Sequence, residues 1–259
     1  MNELQAFILG LIQGLTEFLP ISSTGHLYLG RHLFGLDDAG LFLDTMLHIG
    51  TLIALITVYK NELLSIVIRP FSRLSILLIV GTIPAVIAGI LVDDWLEELS
   101  VTGKTIGWEF LVTGFFLWLA DGMKKGYKTL DSIRYSDALF IGCFQAAAIL
   151  PALSRSGLTI ASGLFRKLDR ETAAYFSFLL SIPAILGGII FQLKNVVSSS
   201  NEGISFMSML IATLSSAIFG YIAVMWMLNF LKKRSLKIFA VYVWVLGVFI
   251  LLMQFTGTF

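Results

Sequence analysis

Six runs of apolar residues, near 41–59, 74–92, 105–121, 172–193, 206–231 and 238–256, are each long enough to cross a lipid bilayer. They leave few folds open. In hydrocarbon every backbone N–H and C=O must bond inside the protein, so runs of this length become helices. Composition agrees: 14% of the residues are charged, against about 25% in an ordinary soluble domain. That balance excludes a soluble globular enzyme and a nucleic-acid-binding module. No basic stretch precedes the first apolar run, so no removable leader is expected. The single cysteine, Cys143, lies in an apolar stretch and reads as packing.

Charge sets the topology. Lys60, Arg69 and Arg73 form one basic segment, and Lys124, Lys125, Lys128 and Arg134 a second. Arg166, Lys167 and Arg170 form a third, and Lys232, Lys233, Arg234 and Lys237 a fourth. Together they hold 14 of the 18 basic residues, which places all four on the cytoplasmic side. The connections at Asp37-Asp38, at Asp93-Asp94-Trp95-Leu96-Glu97-Glu98 and at Ser198-Ser199-Ser200-Asn201-Glu202 then lie outside. The apolar segment Asp137–Phe165 has basic stretches at both ends. It enters and returns as a helix hairpin, turning near Pro151-Ala152-Leu153-Ser154-Arg155-Ser156-Gly157. The N-terminal stretch from Leu4 to about Gly30 is the mirror case, turning at Pro20-Ile21-Ser22-Ser23-Thr24-Gly25, although a plain span also fits its charges.

An internal echo favours the hairpin. IQGLTEFLPISSTGHL (12–27) aligns with FQAAAILPALSRSGLT (144–159) at a constant offset, pairing Gln13 with Gln145, Ser22 with Ser154, Thr24 with Ser156 and Gly25 with Gly157. Each element is followed by three spans that start from opposite sides. The expected fold is therefore an all-α polytopic membrane protein, with about six spans and two re-entrant hairpins in an inverted repeat, 1–135 and 136–259. Such repeats place their sites near the midplane, where broken helices meet. A second echo, TIPAVIAG (82–89) with SIPAILGG (181–188), does not fit this offset.

The two tips carry the chemistry. Arg155 is the one basic residue between Tyr135 and Phe165, and a guanidinium at that depth needs a carboxylate or a phosphate. Ser154, Ser156 and Thr159 add hydroxyls, and Gly157 admits close backbone approach. Ser22, Ser23, Thr24 and Gly25 repeat the arrangement on the first tip, and each tip opens a helix whose N-terminus attracts anions. Two such cradles face to face suit a phosphate or diphosphate. Gln13 and Glu17 share a helix face at a spacing of four. Glu17 could hold a divalent cation or orient His26. A Ser23 nucleophile with a His26 base, and a His26 nucleophile with Ser23 as a binding group, are equally open. Plainer readings exist. Arg155 could simply pair with Glu17, His26 could be interfacial, and the hydroxyls could cap helices. Asp44 and His48 read as an intramembrane polar pair, with lining of the site as the alternative, and Glu109 as interfacial.

At these residues the sequence resembles the bacitracin-resistance family of undecaprenyl-diphosphate phosphatases, bacterial inner-membrane enzymes that recycle the lipid carrier of cell-wall synthesis. Gln13 and Glu17 match its Glu/Gln-x-x-x-Glu signature, which runs on into LPISSTGH. Pro151-Ala152-Leu153-Ser154-Arg155-Ser156 with Thr159 matches its Pro-Gly-x-Ser-Arg-Ser signature. The resemblance covers the whole chain. It implies six spans with two re-entrant hairpins, roles for Glu17, Ser23, His26, Ser154, Arg155 and Thr159, and a site opening to the exterior. It also implies a divalent metal, magnesium or calcium, near Gln13 and Glu17. Two departures stand out: Ala152 replaces the usual glycine, and Gln13 is the uncharged option. The type-2 phosphatidic acid phosphatase pattern is excluded, because SGLTIASGLFRKLD after Ser154-Arg155 contains no histidine. The expected reaction is hydrolysis of undecaprenyl diphosphate, a polyprenyl lipid, to undecaprenyl phosphate and phosphate. The competing expectation is a lipid-phosphate or small-anion transporter, which needs the same anion cradle but has no use for Glu17 beside Ser23 and His26. Nothing in the sequence specifies the oligomeric state.

Overall fold

The computed structural model describes residues 1–36, 41–92, 103–198 and 204–256. Asp37-Asp38, Asp93–Glu98 and 199–202, read as exterior connections, lie outside the described residues. Within them are eleven α-helices and no strand.

The chain opens on α1 (Glu3–Phe18), capped by a reciprocal pair in which Asn2 Oδ1 accepts from Gln5 N and Gln5 Oε1 from Asn2 N. Pro20 lacks an amide hydrogen and Ser22 sits at φ +70°, so the helix breaks and restarts as α2 (Ser23–Leu33). The two helices fold back on each other: Gly30 of α2 faces the Leu9 and Ile12 side chains of α1. The second hairpin is α7 (Tyr135–Ala147) and α8 (Arg155–Phe165), with Ser154 capping α8 through Gly157 N. Its two ends meet at Asp137, which is fully buried and accepts from Lys128 Nζ at 2.8 Å and Arg166 Nε at 2.7 Å. Basic residues from before and after the hairpin thus close on one carboxylate, so the hairpin leaves on the side where it entered.

Helices lie on all six apolar runs: α3 (Leu41–Val58), α5 (Arg73–Leu91), α6 (Ile106–Asp121), α9 (Arg170–Ser198), α10 (Phe206–Lys233) and α11 (Lys237–Phe255). A short α4 (Lys60–Ile68) follows α3 at an 80° bend. Four of these, α5, α9, α10 and α11, are long and apolar enough to cross a membrane alone, and α3 with α4 makes a bent fifth. The sixth expected span, α6, has 16 residues, about 24 Å, a little under the bilayer core. The chain is an all-α polytopic membrane protein.

Small residues bring the hairpins against the spans. An added Cβ on Gly14 of α1 would lie 2.6 Å from Ser216 O and 2.7 Å from Gly220 N of α10. Gly10 meets Ala212 O in the same seam, and Gly142 of α7 meets Gly81 O of α5. Gly10 and Gly142 stand at the offset of the sequence echo. The second echo also has a place here. TIPAVIAG and SIPAILGG put Pro84 inside α5 and Pro183 inside α9, and Gly81 and Leu180, each three residues before its proline, touch. Cys143 is exposed on α7, near exposed Leu139, and not packed in the core as its apolar surroundings suggested. Apolar neighbours do not distinguish a core-facing position from one facing lipid.

Candidate active site

The two hairpin tips meet. Gly25 lies against Phe110 and Ala152, Gly157 packs near Pro20, and Ser156 Oγ donates to Leu19 O at 2.9 Å. Only a glycine fits at 25, where a Cβ would stand 2.6 Å from the Phe110 ring. Ala152 takes the position where the resembling family has glycine without a positive φ. It is fully buried, and its N–H donates to the carboxylate of Glu109. Glu109 is therefore a buried brace for the second tip, not an interfacial residue. Next to it Thr113 Oγ1 accepts from Ser154 N at 3.1 Å.

Between the tips lies a cavity of about 220 Å³. Glu17, Ser22, Ser23, Thr24, Ser154, Arg155, Ser156, Thr16 and His48 form its polar wall, and Ala148 to Pro151 with Leu153 the apolar one. Glu17 is at the centre and is buried. Its Oε1 accepts from Arg155 Nη2, tying one hairpin to the other. Its Oε2 accepts from Ser23 Oγ at 2.5 Å and from Gln13 Nε2 at 3.0 Å. Ser23 and Arg155 are the first residues of α2 and α8, so two helix N-termini also point at this space. The arrangement joins a hydroxyl, a carboxylate able to take its proton, and a guanidinium able to hold anionic oxygens. Ser22 holds a backbone conformation that an L residue seldom adopts, and its hydroxyl caps α2 by accepting from Gly25 N at 3.3 Å.

Other expected residues sit elsewhere. Gln13 is fully buried behind Glu17, outside the cavity, and its Oε1 has no partner among the described residues. Thr159 does not line the cavity; its hydroxyl bonds to Arg155 O and to Ser177 Oγ of α9. His26 also lies outside the lining. Its Nδ1 pairs with Ser22 O at 2.6 Å, its Nε2 with Tyr242 OH at 2.8 Å, and the ring stacks on Tyr242. His48 lines the cavity instead, with Nε2 3.8 Å from Glu17 Oε2. The expected Asp44–His48 side-chain pair is not formed: the Asp44 carboxylate takes Arg31 Nη1 on both oxygens at 2.6 Å, and His48 Nδ1 bonds only the Asp44 carbonyl. Arg31, thirteen residues upstream, is the stronger donor because it is always charged.

Comparison with known proteins identifies the chain. Residues 6–249 match the model of the family described as bacitracin resistance protein BacA. The chain belongs to that family. It is 66% identical to undecaprenyl-diphosphatase 3 of Bacillus cereus over 259 residues, covering 100% of both chains. It is 48% identical to the undecaprenyl-diphosphatase of Carboxydothermus hydrogenoformans over 261 residues, again with full coverage of both. With that of Halothermothrix orenii it shares 40% identity over 255 residues and 98% of each chain. As a member of this family the chain carries both signature segments on the facing tips.

A divalent metal can be tested against the donors present. Among the described residues no three of His, Cys, Asp and Glu converge. Among the described residues Glu17 is the one carboxylate lining the cavity, and Gln13, which donates to it, has an Oε1 without a partner. That set does not make an all-protein cage. It fits an ion that takes the rest of its ligands from substrate oxygens and water, as magnesium does with phosphates.

Proposed function

We propose that this protein hydrolyses undecaprenyl diphosphate to undecaprenyl phosphate and inorganic phosphate, the activity named for its relatives, and so recycles the lipid carrier of cell-wall synthesis and confers bacitracin resistance. The observation that carries the reading is the chain of contacts Ser23–Glu17–Arg155 across the two tips. A translocase would need the cation and the hydroxyls but not a serine hydrogen-bonded to a buried carboxylate.

Ser23 Oγ attacks the terminal phosphorus and passes its proton to Glu17. The bond from that phosphorus to the bridging oxygen breaks, and its electron pair leaves on undecaprenyl phosphate. Arg155 and the N–H groups of α2 and α8 hold the oxygens that gather charge, the contribution that dominates phosphoryl transfer. Arg155 forks onto phosphate when the diphosphate arrives, which frees Glu17 Oε1 and strengthens Glu17 as a base at that moment. Water then cleaves the phosphoserine to release phosphate. His26, with both ring nitrogens engaged outside the cavity, orients the start of α2 through Ser22 O. A divalent cation held by Glu17 and Gln13 would neutralise charge on the diphosphate. The two halves, 1–135 and 136–259, form the inverted repeat. The site opens to the exterior of the cytoplasmic membrane, and the prenyl chain lies in lipid beside the spans.

Ser23→Ala is expected to lower phosphate release by about a thousandfold or more, as loss of a nucleophile does. With substrate labelled on its terminal phosphate, quenched wild type should carry label on the peptide containing Ser23. Release by Ser23→Ala within tenfold of wild type would show that water attacks directly.

A further inference from the structure

His48 lines the cavity yet has no part in the steps above. It stands on α3, and its Nδ1 lies 2.7 Å from the carbonyl oxygen of Asp44. A carbonyl only accepts, so Nδ1 carries a hydrogen, and in the neutral ring the lone pair is on Nε2. Asp44 cannot swing over to take the imidazole, because Arg31 holds both of its carboxylate oxygens. One nitrogen fixed by a backbone carbonyl and the other bare toward a carboxylate is how metal-bound histidines are oriented.

The spacing agrees. His48 Nε2 is 3.8 Å from Glu17 Oε2. Two donors that each stand about 2.0–2.2 Å from one ion lie roughly 3–4 Å apart. Arg155 holds Oε1 of Glu17 and leaves it for phosphate as the diphosphate arrives, so guanidinium and ion would not compete, while Oε2 accepts from Ser23 and Gln13 until the ion enters. Behind Glu17 the buried Gln13 Oε1 lacks any partner among the described residues. Gln13 brings no charge to the site, and a neutral imidazole adds a donor without adding one.

Resting on the phosphatase reading, we propose that His48 is a nitrogen ligand, beside Glu17, of the divalent cation that enters with the diphosphate. Oxygens of the diphosphate and water complete the shell. A nitrogen donor tilts the site from calcium toward later first-row ions such as zinc, and manganese accepts the same donor while giving a spin signal.

The test uses the full chain in detergent, stripped with EDTA and loaded with Mn2+ and methylenebisphosphonate, which cannot be hydrolysed at its bridge. Electron spin-echo spectra of wild type should show modulation from a directly bound imidazole nitrogen. The modulation should vanish in His48→Ala and in His48→Gln, which keeps volume if the alanine variant folds poorly, and survive in His26→Ala. Affinity for Mn2+ should fall about 10–100-fold on losing His48. Calcium, which prefers oxygen, should change by less than about threefold. Mn2+ bound without nitrogen modulation, modulation that survives in both His48 variants, or no Mn2+ binding at all would overturn the proposal. Phosphate release by the same wild-type preparation separates the two readings. Release without nitrogen coupling removes His48 alone, whereas no release with magnesium, calcium or manganese removes the phosphatase itself.

Discussion

Arg155→Ala is expected to lower kcat/KM for undecaprenyl diphosphate by about a thousandfold or more, the scale on which a phosphoryl-stabilising arginine acts. The same change should weaken the fold. Glu17 is buried, and among the described residues Arg155 is its one always-charged partner. Removing one member of such a pair costs about 3–5 kcal/mol, because the other is left as an uncompensated charge. Stability and activity should therefore separate in the double variant. Glu17→Gln with Arg155→Met removes both charges and recovers most of the lost thermal stability in detergent, while phosphate release stays abolished. Arg155→Lys keeps the charge but not the planar fork and should fall between wild type and alanine. Activity of Arg155→Ala within tenfold of wild type would remove the guanidinium from the reaction.

Gly14→Val should give the second large effect, through the fold. A side chain there meets Ser216 O and Gly220 N, which are backbone atoms, and Phe219 Cβ at 2.9 Å. Backbone cannot rotate aside, so α1 must move away from α10. Overpacking usually costs about 1–3 kcal/mol and more where nothing yields. Glu17 lies three residues on, so a shift of about 1 Å also misplaces the carboxylate and can cost about a hundredfold in rate. Gly187→Ala is the comparison, since nothing lies within 4 Å of that site. Thermal unfolding should show a large loss for Gly14→Val and almost none for Gly187→Ala. Equal behaviour of the two would contradict the close seam between α1 and α10.

Much of this architecture could be read from the chain. Each apolar run is a helix because hydrocarbon leaves the backbone no other partner. The second hairpin was legible from basic residues at both ends of Asp137–Phe165, and Asp137 now supplies the physical reason that those ends meet. Burial of a lone guanidinium called for a carboxylate or a phosphate, and the plainer of those readings, a pair with Glu17, is the contact formed across 138 residues. Local sequence failed where two partners competed. Asp44 has His48 one turn ahead and Arg31 behind it, and spacing alone favours the nearer residue. Only the fold brings Arg31 within reach. Glu109 begins a helix, as interfacial residues do, and nothing nearby shows that the unwound tip at Ala152 needs an acceptor. His26 follows Ser23 by three residues, yet its ring is drawn to Tyr242, 216 residues later. The contact between Gly81 and Leu180 gives the proline echo a structural setting that no offset between the hairpins could reveal.

The most direct measurement is phosphate release from undecaprenyl diphosphate by the purified wild-type chain in detergent, with divalent metal and with EDTA, beside Glu17→Gln and Arg155→Ala. Release that needs metal and disappears in both variants, with helical content retained, is the expected result. No release from folded wild type supplied with metal, or undiminished release by folded Glu17→Gln and Arg155→Ala, would contradict a phosphatase site between the two tips.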